Sequence, residues 1–312
     1  MDFNSRVTLV CYIYVSILID IYLSRIVELI ILNSRTCAYA DSDGDGYVDG
    51  FVYDLSETAS LVQTIGGTSS GSQDDKFYVP TRVNVDQYGR IYIADRSNHR
   101  VKVHASDGSF ISQIGNSIAG GNAGFSNPQG VAVDVSGNIY IADSSNHRLV
   151  KYNSNREYVT EVGNGAGSTD SQFNNPYAVE VGEDGYVYVV DYTNHRIKKY
   201  TRDLEYVRSF GSNGTGDSQL KNPRGIAIDK AGNVYVADYS NYRIVKFDAS
   251  GEGEVFIGGE SGKGPDHLYT PYDVALDPLG RVYVVERNYH RIKIYDSEGN
   301  YITRVGGGST GT

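Results

Sequence analysis

Five prolines, Pro80, Pro128, Pro176, Pro223 and Pro271, recur along this 312-residue chain at steps of 48, 48, 47 and 48 residues. Gly89, Gly137, Gly185, Gly232 and Gly280 keep the same steps, as do Arg100, Arg148, Arg196, Arg243 and Arg291. A fixed period of this length marks an array of one supersecondary unit that cannot bury its apolar face alone and must stack on copies of itself. The array also constrains where function can lie. Residues copied five times serve the architecture, so a specific site has to be sought where the copies differ.

One unit, residues 125–163, shows what is being repeated. Val131-Ala132-Val133 alternates large and small, and Ile139-Tyr140-Ile141 is β-branched and aromatic, so both read as short strands. Asp134 to Asn138, with Gly137, supplies a tight hairpin between them. A second turn at Asp143 to Asn146 leads to a third strand at Leu149 to Tyr152, and Tyr158 to Val162 gives a fourth. Four antiparallel strands on short turns, repeated radially, make the blade of a β-propeller. No helical period of useful length interrupts the array.

The kind of propeller can be narrowed. The chain contains no tryptophan, so the Trp-Asp signature of WD40 blades is absent. Each repeat instead carries an acid, followed four residues later by His or Tyr and then by Arg. The copies begin at Asp95, Asp143, Asp191, Asp238 and Glu286 and run to Val101, Leu149, Ile197, Ile244 and Ile292. This pattern resembles the NHL repeat family over residues 77–306, in five consecutive copies. The resemblance implies an all-β propeller, usually of six blades, and says much less about activity, because this architecture hosts many unrelated functions.

Five full repeats fill 77–306, and upstream Phe51 to Asp54 and Leu61 to Gly66 resemble the ends of repeats. They read as the third and fourth strands of a sixth blade that lacks its first two. An open ring would leave unpaired strand edges, so the expectation is an NHL-type β-propeller over 51–312 with six blades, one of them incomplete (partial blade 51–66). A five-bladed ring and completion by a partner chain stay open. Before it lie an apolar leader at 1–40 and an acidic segment at 41–50. Val7 to Ile19 is an uncharged run the length of a signal-peptide core rather than a membrane span. Asp20 interrupts it, and Ala38-Tyr39-Ala40 offers a small-residue cleavage site. The expectation is an extracellular or cell-envelope protein, carrying a signal peptide or held at the membrane only by this leader.

Formal charge is −10, unevenly placed: residues 41–76 hold eight acids and one base, while 77–312 hold 27 acids and 24 bases. A near-neutral array argues against nucleic acid as the partner. Cys11 and Cys37 both precede the array, so it has neither disulfide nor thiolate site. Asp41, Asp43, Asp45, Tyr47 (through its carbonyl) and Asp49 match the oxygen spacing of a calcium loop, with Gly46 at the sharp turn. Position 12 is Val52 rather than a bidentate Glu, so calcium is expected as a weakly held cofactor.

The aligned His99, His147, His195 and His290 invite a metal reading, but equivalent residues of a ring are too far apart to share an ion whose ligands sit at about 2.1 Å. They are read as packing at the turn. Each copied acid and the arginine five residues on bracket that same turn, where a carboxylate–guanidinium fork would brace the blade. The positions that follow the copied ones do vary. After the prolines stand Thr81, Gln129, Tyr177, Arg224 and Tyr272; after the acids stand Arg96, Ser144, Tyr192, Tyr239 and Arg287. In a propeller both sets open on one face. Its Tyr and Arg content suits stacking, cation–π contact and bidentate pairing, so Arg96, Tyr177, Tyr192, Arg224, Tyr239, Tyr272 and Arg287 form the candidate binding face.

The function expected is a non-catalytic recognition or scaffold module for a protein, peptide or glycan. The resemblance also implies two alternatives. One is a metal-dependent lyase or hydrolase, since NHL-like propellers include an amidating lyase with histidines near its axis; here the remaining histidines are His104 and His267. The other is single-stranded RNA binding, to which Arg82, Arg96, Arg224 and Arg287 would contribute.

Overall fold

The computed structural model describes residues 71–74, 76–115, 124–163 and 165–306, with strand segments at 17–19, 27–30, 37–40, 50–53 and 63–65. Each repeat folds into one four-stranded antiparallel blade whose strands neighbour one another in chain order. The inner strands are Pro80–Val85, Pro128–Val133, Pro176–Val181, Pro223–Ile228 and Pro271–Leu276. The outer ones are Phe110–Ile114, Tyr158–Val162, Tyr206–Phe210, Gly253–Gly258 and Tyr301–Gly306. The described residues thus form an all-β propeller with five blades.

The second strands, Ile91–Asp95, Ile139–Asp143, Val187–Asp191, Val234–Asp238 and Val282–Glu286, are buried from end to end. Packed between neighbouring blades on both faces, they can be apolar at consecutive positions instead of alternating. Each buried Val or Ile there contributes about 1.5–3 kcal/mol relative to exposure. The tyrosine in each second strand brings a hydroxyl into this core and satisfies it on the hairpin acid of its own blade. Tyr92, Tyr140, Tyr188 and Tyr283 donate to Asp86, Asp134, Asp184 and Asp277 at 3.0–3.2 Å.

Blades are tied to one another through the turn that carries the histidines. His99, His147 and His195 adopt left-handed backbone conformations, and each Nδ1 accepts a bond from a backbone N–H of the following blade. The donors are Asn127 at 3.1 Å, Asn175 at 3.1 Å and Asn222 at 3.0 Å. Burial lowers the pKa of His195, which keeps the ring neutral and able to accept. These copies therefore link blades, a more specific role than packing at the turn.

Two expectations about the N-terminal part change. A sixth blade is not supported: Gly50–Tyr53 pairs with Cys37–Ala40, whereas Gln63–Ile65 pairs with Val27–Ile30, so the segments expected side by side in a partial blade lie in different sheets. The apolar leader is not supported as a separate segment either, because Ile17–Ile19 and Val27–Ile30 are paired strands in the sheet that contains Gln63–Ile65. The physical reason is the composition of the run: Ile17-Leu18-Ile19 and Val27-Glu28-Leu29-Ile30 are rich in β-branched residues and as able to pair as strands as to form a hydrophobic leader. The calcium-loop residues Asp41, Asp43, Asp45, Tyr47 and Asp49 lie outside the described residues.

Candidate functional site

Two local devices bring the varying residues onto one face. Register shifts follow the proline of every inner strand, between Pro80/Arg82, Pro128/Gly130, Pro176/Val179, Pro223/Ile226 and Pro271/Asp273. The residue after the proline falls in this bulge, and a bulge re-aims the side chain it carries. The residue after each acid opens a single 3-10 turn, at Arg96–Asn98, Ser144–Asn146, Tyr192–Asn194, Tyr239–Asn241 and Arg287–Tyr289. Glycine supplies the close approach this needs: a Cβ on Gly130 would sit 2.9 Å from the Tyr177 carbonyl, and one on Gly225 would sit 2.5 Å from Asp273 Cα. Those contacts let adjacent inner strands crowd together near the axis.

The copied acid holds both devices in place. Asp143 Oδ1 accepts from the Ser126 N–H at 2.7 Å, while its Oδ2 accepts from Asn146 Nδ2 and Arg148 Nε at 2.8 Å each. Asp95, Asp191 and Asp238 repeat this set on Tyr78, Asn174 and Lys221, whereas Glu286 accepts from the Tyr269 N–H and Arg291 without the amide, because Tyr289 replaces the copied Asn. The arginine's outer nitrogens reach back to the loop before the blade, as Arg148 Nη2 does to the Gly124 carbonyl at 2.7 Å. The expected brace is present, and it acts within one blade. Burial raises the pKa of Asp143 and Asp238, opposed by their amide and guanidinium donors.

Above this frame, six of the seven expected face residues meet in one cluster. The hydroxyls of Tyr177, from the third blade, and Tyr272, from the fifth, lie 2.5 Å apart. Between them Arg224, from the fourth blade, donates to the Tyr177 hydroxyl at 3.1 Å. Its guanidinium stands over the rings of Tyr239 (4.1 Å), Tyr272 (4.8 Å), Tyr177 (5.3 Å) and Tyr192 (5.6 Å). Arg287 reaches the Tyr272 ring at 5.2 Å, and Tyr192 is fixed by Asn222 Nδ2 at 3.0 Å. Tyr177 is buried and the other five are half-buried. Burial and the neighbouring Tyr272 hydroxyl push the Tyr177 phenol well above its ordinary pKa. For Arg224, burial works against the charge, but the surrounding phenols outweigh it and raise the pKa. Arg96, the seventh, is half-buried on the first blade and belongs to the rim rather than the cluster.

The residues named for the alternative functions have partners of their own. Arg82 is buried and bonded to Asp273 at 2.6 Å, so it is not available to an RNA backbone. His104 is buried with Nδ1 on the Gly108 carbonyl at 2.9 Å, between Phe77 and Phe110. His267 lies 3.4 Å from Glu260 in the loop before the fifth blade. Among the described residues no group of three His, Cys, Asp or Glu side chains is arranged to hold a metal ion.

Two features escaped the sequence reading. Glu180 is enclosed by protein near the axis although some of its surface still meets solvent; burial pushes its carboxyl up to about 7, against the pull of Arg82. Tyr242, Tyr269 and Tyr289 stack at the junction of the fourth and fifth blades, with centroids 5.9 and 4.9 Å apart. The signal for the stack was present, because Tyr242 replaces the copied His and Tyr289 the copied Asn. Glu180 gave none.

The comparisons with known proteins agree with this geometry. The NHL repeat profile matches residues 77–103, 125–152 and 220–247. The chain carries NHL repeats. Protein lin-41 of Caenorhabditis elegans is 41% identical over 61 residues, which are 20% of this chain and 5% of that protein. A chain of a nidogen/laminin complex superposes with a TM-score of 0.59 at 15% identity, covering 78% of this chain and 86% of that one. Virginiamycin B lyase from Staphylococcus aureus gives 0.55 at 15% identity, over 73% and 69%. At such identities the likeness is one of fold.

Proposed function

We propose that this NHL-repeat propeller is a recognition module that binds a protein partner through a peptide segment seated on the Tyr–Arg cluster. The observation that carries the reading is the meeting of Tyr177, Tyr192, Arg224, Tyr239 and Tyr272 from three blades at positions that break the five-fold copying. Rigid, largely half-buried aromatic anchors beside arginine have the composition of binding hot spots. The nidogen/laminin complex is consistent with it as an example of a similar fold engaged with a protein. Calcium at Asp41 to Asp49 and a place outside the cell belong to the same proposal, with calorimetric titration of calcium as the check on the first.

The test is selection of binders from a displayed random 12-residue peptide library on the full-length chain. Selected peptides should lose at least tenfold in affinity with Tyr239→Ala and Tyr272→Ala. They should be unaffected by Tyr88→Ala and Leu279→Ser, which alter exposed residues in the hairpins at the other end of the inner strands. Peptides that respond only to the hairpin variants would overturn the assignment.

A further inference from the structure

We infer that the partner is held through a carboxylate on its peptide segment, received by Arg224 with Arg96 and Arg287 at the rim; this rests on the recognition reading above. The rest of the molecule treats buried arginine by one rule. Among the described residues, each of the five buried arginines has a carboxylate: Arg82 with Asp273, Arg100 with Asp95, Arg148 with Asp143, Arg243 with Asp238 and Arg291 with Glu286. Arg196, half-buried, also has one in Asp191. Arg224 departs from this rule. Its neighbours are four tyrosine rings and one phenol oxygen, and among the described residues it makes no ion pair. Its Nε is shielded from solvent and lacks a hydrogen-bond partner.

Phenols polarise toward a cation but do not neutralise it at pH 7. Arg224 therefore keeps its positive charge in a partly desolvated setting, on a chain whose formal charge is −10. Charge-assisted bonds to a carboxylate are strongest in such surroundings. Arg96 Nε, also buried without a partner, adds a second unused donor at the rim. Unpartnered buried nitrogens also occur away from the cluster, as at Arg291 Nη2, so it is the missing carboxylate of Arg224, rather than an orphan Nε alone, that an anionic occupant would supply.

A second unmet group lies on the second blade. Gln129, at its post-proline position, is buried and its Oε1 has no donor. A peptide brings N–H donors as well as a carboxylate, whereas a small free carboxylate brings none. The carboxylate can come from an Asp or Glu side chain or from a chain terminus.

The peptides selected above provide the probe. Each is resynthesised with its acids changed one at a time to the amide, and with its C-terminus free or amidated, and Kd is measured on the full-length chain. We expect one change to weaken binding at least tenfold: Glu→Gln or Asp→Asn if the source is a side chain, amidation if it is the terminus. Arg224→Gln should remove that discrimination, so that acid and amide peptides bind alike, and Arg287→Gln should reduce it without abolishing it. An unchanged thermal midpoint shows that the ring is intact; should Arg224→Gln unfold it, Arg287→Gln with Arg96→Gln carries the test. Peptides that need Tyr239 yet bind equally as acid and amide would overturn this inference and leave the recognition reading standing. Peptides indifferent to Tyr239 and Tyr272 would overturn both.

Discussion

In the turn between the second and third strands, Asp143 receives one backbone N–H, one amide and one guanidinium, all at 2.7–2.8 Å. At the neighbouring cluster on the same face, Arg224 has four aromatic rings and one phenol. The first arrangement is copied through the ring and leaves its charge fully compensated. The second occurs once among the described residues and leaves its charge without a carboxylate. The difference separates residues that make the propeller from residues that make it particular: satisfied charge belongs to the fold, and the unpaired charge beside it is where the proposed partner would complete the set.

The largest expected effect tests that division directly. Asp143→Ala takes the buried carboxylate from Arg148, which keeps the half-buried Glu161 at 2.8 Å, and it strips the Ser126 N–H and the Asn146 amide of their acceptor; it should cost about 3–5 kcal/mol, the range for breaking a buried pair. Tyr239→Ala removes one half-buried ring from a cation–π cluster and should cost about 0.5–2 kcal/mol. Urea denaturation at pH 7 measures both. Equal losses would erase the distinction between the copied turn and the cluster.

Glu180 belongs to neither region and has a pH signature of its own. Its pKa rises from an ordinary value of 4.5 to about 7 in the fold, chiefly by burial. The native state therefore binds more protons than the unfolded chain between those values, and stability falls as pH rises through that window. Glu180→Gln mimics the protonated form. It should leave stability unchanged near pH 4 and raise it above pH 7, by at most about 3 kcal/mol. A stability difference that does not vary between pH 4 and pH 8 would show that the carboxyl ionises normally.

The copied architecture was legible because its signals are local. Asp143 and Arg148 are five residues apart across one turn, and the post-proline and post-acid positions follow directly from the period. The cluster's members could be named for the same reason, since their positions are fixed even though their types are not. What depends on distant sequence was not legible. Arg82 meets Asp273 across 191 residues, which hid both that pair and the field around Glu180. The histidine's role required knowing that a backbone N–H of the next blade would face it. The pairing of Gln63–Ile65 with Val27–Ile30, in place of a partner from 51–54, likewise depends on register between separated segments that share the same β-branched character.

A smaller effect is expected where the blades solve one problem in two ways. In the third blade Lys198 Nζ caps the carbonyls of Thr169, Asp170 and Gln172 at 3.2, 2.7 and 2.8 Å, and burial lowers its pKa to about 8. In the fourth, Val245 stands at that position and Arg243 caps the carbonyls of Thr215, Gly216 and Gln219 at 2.7–2.9 Å. Lys198→Met should therefore cost only about 1–2 kcal/mol, within the range for leaving a buried acceptor unpaired, because Arg196 already reaches the Thr169 carbonyl at 3.0 Å. A loss as large as that of Asp143→Ala would mean that the lysine cannot be replaced in the way the fourth blade implies.

The smallest effect is a gain, and it follows from the residue before each proline. Val79, Asn127, Asn175, Asn222 and Thr270 all have φ between 48° and 55°, a left-handed conformation that asparagine tolerates and a β-branched side chain resists. Three blades use asparagine there, so the copied frame itself supplies the favourable choice. Thr270 accepts a bond from Asn288 Nδ2 at 3.1 Å, and an asparagine carbonyl can take over that role. In the second and third blades the same asparagine bonds Ser145 and Thr193 at 3.0 and 3.1 Å. Thr270→Asn should accordingly raise stability by about 0.5–1 kcal/mol, the scale of relieving an unfavourable φ, and leave peptide affinity unchanged. The converse transplant, Tyr177→Gln, puts the second blade's residue into the cluster and should weaken peptide binding whatever it does to stability. If moving residues between blades proved equally harmless at both positions, the cluster would be one more part of the frame.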